Sequence, residues 1–207
     1  MNPSEIKEKL VAVTKQAYHE ALFAATSGNL SVYDREHDRM YITPSSYPYD
    51  LMTADDIMVI DLSGNILEGK HKPSSEWRMH AAVYRADKSV NAVVHTHSPY
   101  ATSFAINHLP IAAVLYEMVP FLGGDVPVAE GAVPGTPEVG ENCVAALKDR
   151  YACLMANHGV LAVADNLEMA YTRAVYVEDA ARAYSLALGH GPVQVIGKAT
   201  IQAMLEK

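Results

Sequence analysis

Apolar residues near the start of the chain recur at intervals of three and four positions, the spacing of one face of an α-helix. This face consists of Ile6, Leu10, Val13, Ala17 and Ala21. The periodicity predicts an amphipathic helix over about residues 4–24, ended by the polar stretch Thr26–Asn29.

Short apolar runs bounded by turn residues follow along the rest of the chain, and they predict β-strands. The predicted strands are Leu30–Tyr33, Met40–Thr43, Ile57–Asp61, Ile66–Glu68, Asn91–Thr96, Ala152–Met155 and Val160–Ala164. The turn Ser63-Gly64-Asn65 lies between the third and fourth of them and predicts a β-hairpin. Two prolines predict a loop over Pro44–Tyr49.

Further helices are predicted between these strands. They cover Ser75–Ala86, Pro99–Asn107, Thr136–Arg150 and Asn166–Leu188, whereas the apolar but Gly- and Pro-interrupted residues 111–135 fit no single element. Strands and helices interleave, and short turns join several strand pairs. We therefore expect an α/β fold with one domain over residues 1–207, a three-layer α/β/α sandwich with a mixed, largely antiparallel central sheet.

Composition narrows the possible partners. Half of the 207 residues are hydrophobic, the formal net charge is −8, and no basic run is present, so we expect no nucleic-acid partner. No apolar stretch approaches the ~20 residues of a membrane span, and the first residues lack a signal-peptide pattern. Cys143 and Cys153 are typical of buried thiols in a reducing compartment. These features favour a cytoplasmic protein without a membrane partner.

The pattern His95-Thr96-His97 at the end of a predicted buried strand indicates a metal site. Side chains two apart on a strand point to the same face, so both imidazoles can reach one ion while Thr96 faces away. His158, which precedes another strand, supplies a possible third nitrogen. Three protein ligands with one exchangeable position are typical of catalytic zinc. The alternative is that His-x-His occurs here by chance.

Glu76 follows Ser74-Ser75 at a predicted helix start. One interpretation is an acidic residue that complements the helix dipole. The other is a carboxylate beside the three histidines, serving as fourth metal ligand or as acid/base.

Small polar residues in three loops suggest a phosphate pocket, because backbone amides and hydroxyls bind anions without lysine. These residues are Gly28, Asn29, Ser45, Ser46, Ser74 and Ser75. Ordinary turn and cap chemistry also explains any one of the loops by itself.

Five short motifs, in this order and spacing, resemble the class II aldolase/adducin family, most of all its L-fuculose-phosphate aldolases. The motifs are Ser27–Ser31, Ile42-Thr43-Pro44, Pro73–Trp77, Val94–His97 and His158-Gly159. The resemblance implies zinc, or another divalent metal, held by His95, His97, His158 and Glu76. It also implies phosphate binding by the three loops and a homotetramer. Tyr116, ahead of Gly123-Gly124, matches a tyrosine that assists catalysis from a neighbouring subunit.

The activity implied is cleavage of a ketose 1-phosphate to dihydroxyacetone phosphate and an aldehyde, with Glu76 and Tyr116 as catalytic residues. A pentulose-phosphate 4-epimerase, a sugar-phosphate dehydratase or decarboxylase, and a non-catalytic adducin-like interaction protein remain alternatives. The family's epimerases resemble one another in having aspartate at the position of Glu76, which favours the aldolase. One departure is Ser46, where the aldolases have glycine.

Overall fold

The computed structural model describes residues 2–206. Its helices are α1 (Pro3–His19), α2 (Trp77–Ala86), α3 (Pro99–Ile106), α4 (Met118–Leu122), α5 (Pro137–Ala146), α6 (Leu167–Leu188) and α7 (Lys198–Leu205), with short 3₁₀ helices at Tyr49–Leu51 and Ala54–Asp56. Its strands are β1 (Asn29–Asp34), β2 (Arg39–Ile42), β3 (Met58–Ile60), β4 (Ile66–Glu68), β5 (Ala92–Thr96), β6 (Val128–Ala129), β7 (Ala152–Met155) and β8 (Gly159–Ala164).

The strands form one eight-stranded sheet in the order β4-β3-β2-β1-β5-β8-β7-β6. Every neighbouring pair is antiparallel except β6 and β7, which are parallel. Helices cover both faces: α1, α3, α4 and α6 pack on one apolar core, and α2 and α5 pack on the other. The predicted three-layer α/β/α fold with a mixed, largely antiparallel sheet is therefore confirmed.

Strand β5 lies at the centre of the sheet, between β1 and β8, and all five of its residues are buried. Val93 belongs to the core under α2, whereas Val94 belongs to the core under α6, as strand alternation requires. The register places His95 of β5 opposite Asn29 of β1 and Leu161 of β8. The fold thus brings the ends of three central strands to one place.

Several helix boundaries differ from the predicted ones. Helix α1 ends at His19, not at residue 24, because Ala21 has a φ of 60° and so leaves the helical conformation. Leu22 and Phe23, which fit the helical pattern less well, are buried in an irregular segment. Helix α5 ends at Ala146 instead of Arg150, and helix α2 begins at Trp77 with Glu76 as its N-cap.

Residues 111–135 contain α4 and the short strand β6, neither of which the pattern indicated. Gly123 ends α4 with a φ of 81°, a conformation that glycine adopts without steric cost. The sequence also gave no indication of α7, none of whose residues is buried. Within residues 2–206, no helix is both long and apolar enough to cross a membrane.

Candidate metal centre and active site

The four predicted metal ligands come together at the end of the central strands. Ligand atoms of Glu76, His95, His97 and His158 all lie within 4.8 Å of one another. Nε2 of His95 is 2.9 Å from Nε2 of His97 and 3.1 Å from Oε2 of Glu76, and Nε2 of His158 is 3.2 Å from Oε1 of Glu76. Zinc with ligands at 2.0–2.1 Å in tetrahedral geometry needs separations of about 3.3 Å. Three of the donor pairs therefore lie at nearly the separation that a small divalent ion requires.

The sheet orients His95 for this role. Its Nδ1 lies 2.8 Å from the carbonyl oxygen of Val160 on the neighbouring strand β8, so Nδ1–H donates to that carbonyl. The proton on Nδ1 leaves the Nε2 lone pair free and directed into the cluster. The backbone N–H of His97, one residue past β5, donates to the carbonyl of Leu22. This bond fixes the second histidine after the strand has ended.

The turn between β7 and β8 places His158. Asn157 has a φ of 57°, a left-handed conformation in which asparagine is one of the few favoured non-glycine residues. A Cβ on the next residue, Gly159, would lie 2.3 Å from the carbonyl oxygen of Thr96 and 3.3 Å from Cε1 of His95. The absence of a side chain at Gly159 lets β8 approach β5 closely enough for His158 to reach the cluster.

Glu76 enters the site from the N-cap position of α2 and is 7% exposed. Its Oε2 accepts a 2.9 Å hydrogen bond from Nδ2 of Asn29, but its buried Oε1 has no hydrogen-bond partner. A buried carboxylate oxygen without a donor is costly unless a cation neutralises it. Three imidazole nitrogens and one carboxylate oxygen form a donor set that suits a divalent metal ion such as zinc.

Burial and neighbouring charges change the pKa values of three residues of the cluster, His97, His158 and Glu76. It lowers the pKa of His97 to about 3, with the neighbouring charges of His95 and His158 acting in the same direction. Burial and His95 also lower the pKa of His158. Burial alone would raise the pKa of Glu76, but the adjacent His95 and His158 hold it well below its usual range. Burial thus favours neutral imidazoles at His97 and His158, the protonation state in which histidine binds a metal ion.

Two of the three predicted phosphate loops are joined by backbone contacts. The N–H of Ser45 donates to the carbonyl of Lys72, and the N–H of Ser74 donates to the carbonyl of Thr43. Ser46 and Ser75 are exposed, Ser45 is half-buried, and Ser74 is buried. The Oγ of Ser74 accepts from the backbone N–H of Glu76 at 3.3 Å, so this serine acts locally on the start of α2.

The third loop is anchored through Gly28, whose carbonyl accepts a 2.5 Å hydrogen bond from the buried Tyr49 hydroxyl. A Cβ at Gly28 would lie 2.1 Å from Cδ1 of Phe23. The packing of that ring therefore excludes a side chain at Gly28. Ser46, where the resemblance to the aldolases implies a glycine, has a φ of 53°, a left-handed conformation that glycine adopts without steric cost.

Asn29 lies beside Glu76 and connects it to His80, a histidine outside the motifs that indicated the metal site. Its Oδ1 is 2.6 Å from Nε2 of His80, which is fully buried on α2. Burial, with the nearby His95 acting in the same direction, lowers the pKa of His80 to about 3. His80 comes four residues after Glu76, the spacing of one helix face, and this was the signal available in the sequence.

Tyr116 lies apart from these residues in the single chain. It is 63% exposed, in the segment that precedes α4. Among residues 2–206, no hydrogen bond joins Tyr116 to the four residues of the cluster. A catalytic role for it from a neighbouring subunit stays a prediction.

Known proteins share both the fold and the length of this chain. The family model described as "Class II Aldolase and Adducin N-terminal domain" matches residues 8–185. An L-fuculose phosphate aldolase of Escherichia coli O6:H1 is 38% identical over 208 residues, covering 100% of this chain and 95% of the relative. A 5-deoxy-D-ribulose 1-phosphate aldolase of Bacillus thuringiensis serovar kurstaki is 38% identical over 178 residues, 86% of this chain and 83% of the relative. A solved structure of an L-fuculose 1-phosphate aldolase superposes with a TM-score of 0.95 at 40% identity, covering 100% of this chain and 97% of that one.

Proposed function

Since the chain belongs to the class II aldolase and adducin family and is an enzyme of its aldolase branch, we propose that it cleaves a ketose 1-phosphate to dihydroxyacetone phosphate and an aldehyde. The reaction is a retro-aldol cleavage of the C3–C4 bond. The observation that carries the proposal is the cluster of three imidazoles around the buried, unpartnered Oε1 of Glu76.

Glu76, His95, His97 and His158 would hold the metal, for which we propose zinc. When bound, the ion supplies Lewis-acid stabilisation of the negative charge that develops as the C–C bond breaks. The low pKa of His97 keeps its imidazole neutral and available as a ligand at physiological pH.

We propose Glu76 as the acid/base. Its Oε2 is held by Asn29, while its Oε1 is free of hydrogen bonds, so the carboxylate has one fixed oxygen and one available oxygen. We propose that the available oxygen carries the proton delivered to C3 of the phosphorylated half. Tyr116 of an adjacent copy would handle the proton on the aldehyde-side oxygen, which requires an assembly of several chains. We propose the homotetramer for this assembly.

The phosphate would bind where the three small-residue loops meet. Exposed hydroxyls of Ser46 and Ser75 and the half-buried Ser45 supply donors, and the Gly28-Asn29 loop supplies a second N–H on Nδ2 of Asn29 that Glu76 does not use. Neutral donors of this kind bind a phosphate although the chain carries a net charge of −8. A phosphorylated sugar as substrate also fits a cytoplasmic location, because a charged ester crosses membranes poorly.

The substrate is best identified by product analysis with the zinc-loaded protein. L-Fuculose 1-phosphate and 5-deoxy-D-ribulose 1-phosphate differ in the aldehyde half but share the phosphorylated half, so release of dihydroxyacetone phosphate from either supports the proposal. Ribulose 5-phosphate serves as the control for epimerase activity. Epimerisation of ribulose 5-phosphate without cleavage of any ketose 1-phosphate would overturn the aldolase assignment.

A variant separates the chemistry from metal binding. Glu76→Gln keeps the size of the side chain and removes the proton-carrying carboxylate. Cleavage should fall by about 10²–10⁴, the usual contribution of a positioned acid/base, while the three histidines retain zinc, with weaker affinity. Unchanged cleavage by this variant would show that Glu76 does not carry the proton.

A further inference from the structure

A chain of buried hydrogen bonds runs from Glu76 through the core to Tyr84. Nδ2 of Asn29 donates to Glu76 at 2.9 Å, and Oδ1 of Asn29 is 2.6 Å from Nε2 of His80. Nδ1 of His80 is 2.6 Å from Oγ of Ser31, which in turn is 2.6 Å from the Tyr84 hydroxyl. His80 and Ser31 are completely buried, and Asn29 and Tyr84 are 4% and 1% exposed.

The ionised carboxylate of Glu76 determines which group donates and which accepts in each of these hydrogen bonds. A carboxylate only accepts, so the Asn29 amide must turn its NH₂ toward Glu76 and its Oδ1 toward His80. His80 must then carry its proton on Nε2, and its Nδ1 accepts from the hydroxyl of Ser31. Reversing the Asn29 amide would place Oδ1 against Oε2 of Glu76, two acceptors without a proton between them. The Nε2–H of His80 therefore favours the orientation of the Asn29 amide in which Nδ2 donates to the Glu76 carboxylate.

We propose that His80 is a positioning residue of the active site: its Nε2–H fixes the Asn29 amide, and through it the orientation of the Glu76 carboxylate. This inference rests on the proposed function only where it concerns the effect of His80 on turnover. Its effect on metal binding requires no substrate. The Asn29 amide holds Oε2 of Glu76, while Oε1 accepts no hydrogen bond and lies 3.2 Å from Nε2 of His158.

Two substitutions of His80 separate positioning from packing. The side-chain nitrogen of glutamine reaches roughly where Nε2 of histidine lies, so His80→Gln keeps the donor to Asn29. Asparagine reaches only as far as Nδ1, so His80→Asn keeps a partner for Ser31 but loses the donor to Asn29. Both are smaller than imidazole and lose some packing. Thr14→Val is the control for lost stability, because it removes a buried hydrogen bond, to the Leu10 carbonyl, within α1.

The experiment measures zinc affinity by competition with a chelator, thermal stability, and kcat and KM for the ketose 1-phosphate that the wild type cleaves. We expect His80→Asn to weaken zinc binding by about 10- to 100-fold and to lower kcat by about as much, with KM changed less than threefold. His80→Gln should retain both within about threefold. Both variants and Thr14→Val should melt at lower temperature.

The outcomes distinguish the two proposals. Equal zinc affinity and equal kcat for His80→Gln and His80→Asn would overturn the positioning role, since packing alone would then explain both variants. The same conclusion would follow if Thr14→Val lost zinc affinity in proportion to its melting temperature. If the wild type cleaves no ketose 1-phosphate, the proposed function fails, yet the difference in zinc affinity between the two His80 variants still tests the positioning role.

Discussion

Acidification should destabilise the metal-free protein through His80, and the size of the effect follows from its burial. Burial, with the nearby His95, lowers the pKa of His80 from 6.5 to about 3. The unfolded chain therefore binds a proton at this imidazole below about pH 6.5, whereas the folded chain does not until about pH 3. Lowering the pH through this interval favours the unfolded state. At pH 5 the loss amounts to about 2 kcal/mol, because each pH unit below the unfolded pKa is worth about 1.36 kcal/mol.

The assay is urea unfolding in the presence of a chelator at pH 8 and at pH 5, comparing the wild type with His80→Gln. His97, whose pKa is also lowered, contributes to both proteins and cancels in the comparison. His158 and Glu76, whose pKa values are also lowered on folding, are present in both proteins and cancel in the same way. The wild type should lose about 2 kcal/mol more than the variant between the two pH values. A difference below about 0.5 kcal/mol would mean that the folded protein protonates His80 as readily as the unfolded chain does.

Three pairs of substitutions test the close strand approach at Gly159 and the left-handed backbone at Asn157 and Ser46. Gly159→Ala should lower the free energy of unfolding by at least about 2 kcal/mol and reduce bound zinc, because its Cβ would lie 2.3 Å from the carbonyl oxygen of Thr96. Gly131→Ala is the control: the atom nearest to its Cβ is 3.6 Å away, so it should cost less than about 0.5 kcal/mol. Asn157→Ala should lower the unfolding free energy by about 1 kcal/mol, and Asn157→Gly should cost less, since the φ is 57°. Ser46→Val should lower stability by about 1–2 kcal/mol, while Ser46→Gly is tolerated at its φ of 53°. Urea unfolding checks each, and equal losses within a pair would contradict the reasoning.

The parts of the site that depend on local spacing could be predicted from the sequence. The alternation of a strand places His95 and His97 on one side of its end, and no knowledge of the fold is needed for that. The placement of Glu76 and His158 beside them depends on the whole sheet, so the residue pattern offered both only as possible ligands, and the resemblance to known proteins supported that choice. The fold class followed from the interleaved strands and turns, because an apolar strand must be covered on each buried face.

Other features depend on contacts between residues far apart in the chain. The role of His80 arises from its contact with Asn29, 51 positions away, which becomes visible only when α2 lies across β1. Helix α7 has only eight residues and buries none of them completely, so its short apolar pattern was not distinguished from a loop. The apolar spacing predicts that α1 extends past His19 because Ala21 continues that spacing, although the backbone of Ala21 is left-handed. The spacing of apolar residues indicates which face of an element is buried, but it does not indicate where the backbone leaves the helical conformation.

The buried polar chain also explains how α2 is held in register with the sheet. Glu76, His80 and Tyr84 follow one another at intervals of four on the helix, a rise of about 6.0 Å per step. Asn29, Ser31 and Tyr33 follow at intervals of two on β1, a rise of about 6.8 Å per step, so the two rows of side chains run nearly level.

Each side chain in the β1 row contacts one or two side chains in the α2 row. Asn29 contacts Glu76 and His80, Ser31 contacts His80 and Tyr84, and the ring of Tyr33 stacks on that of Tyr84 at 5.1 Å. A slip of β1 by one residue would turn its polar side chains to the opposite face and leave those of α2 unpaired. Each unpaired buried group costs about 1–3 kcal/mol, so the slipped arrangement is strongly disfavoured. Because Asn29 pairs with His95 across the sheet, the register that satisfies the core is also the one that sets Glu76 against the histidines.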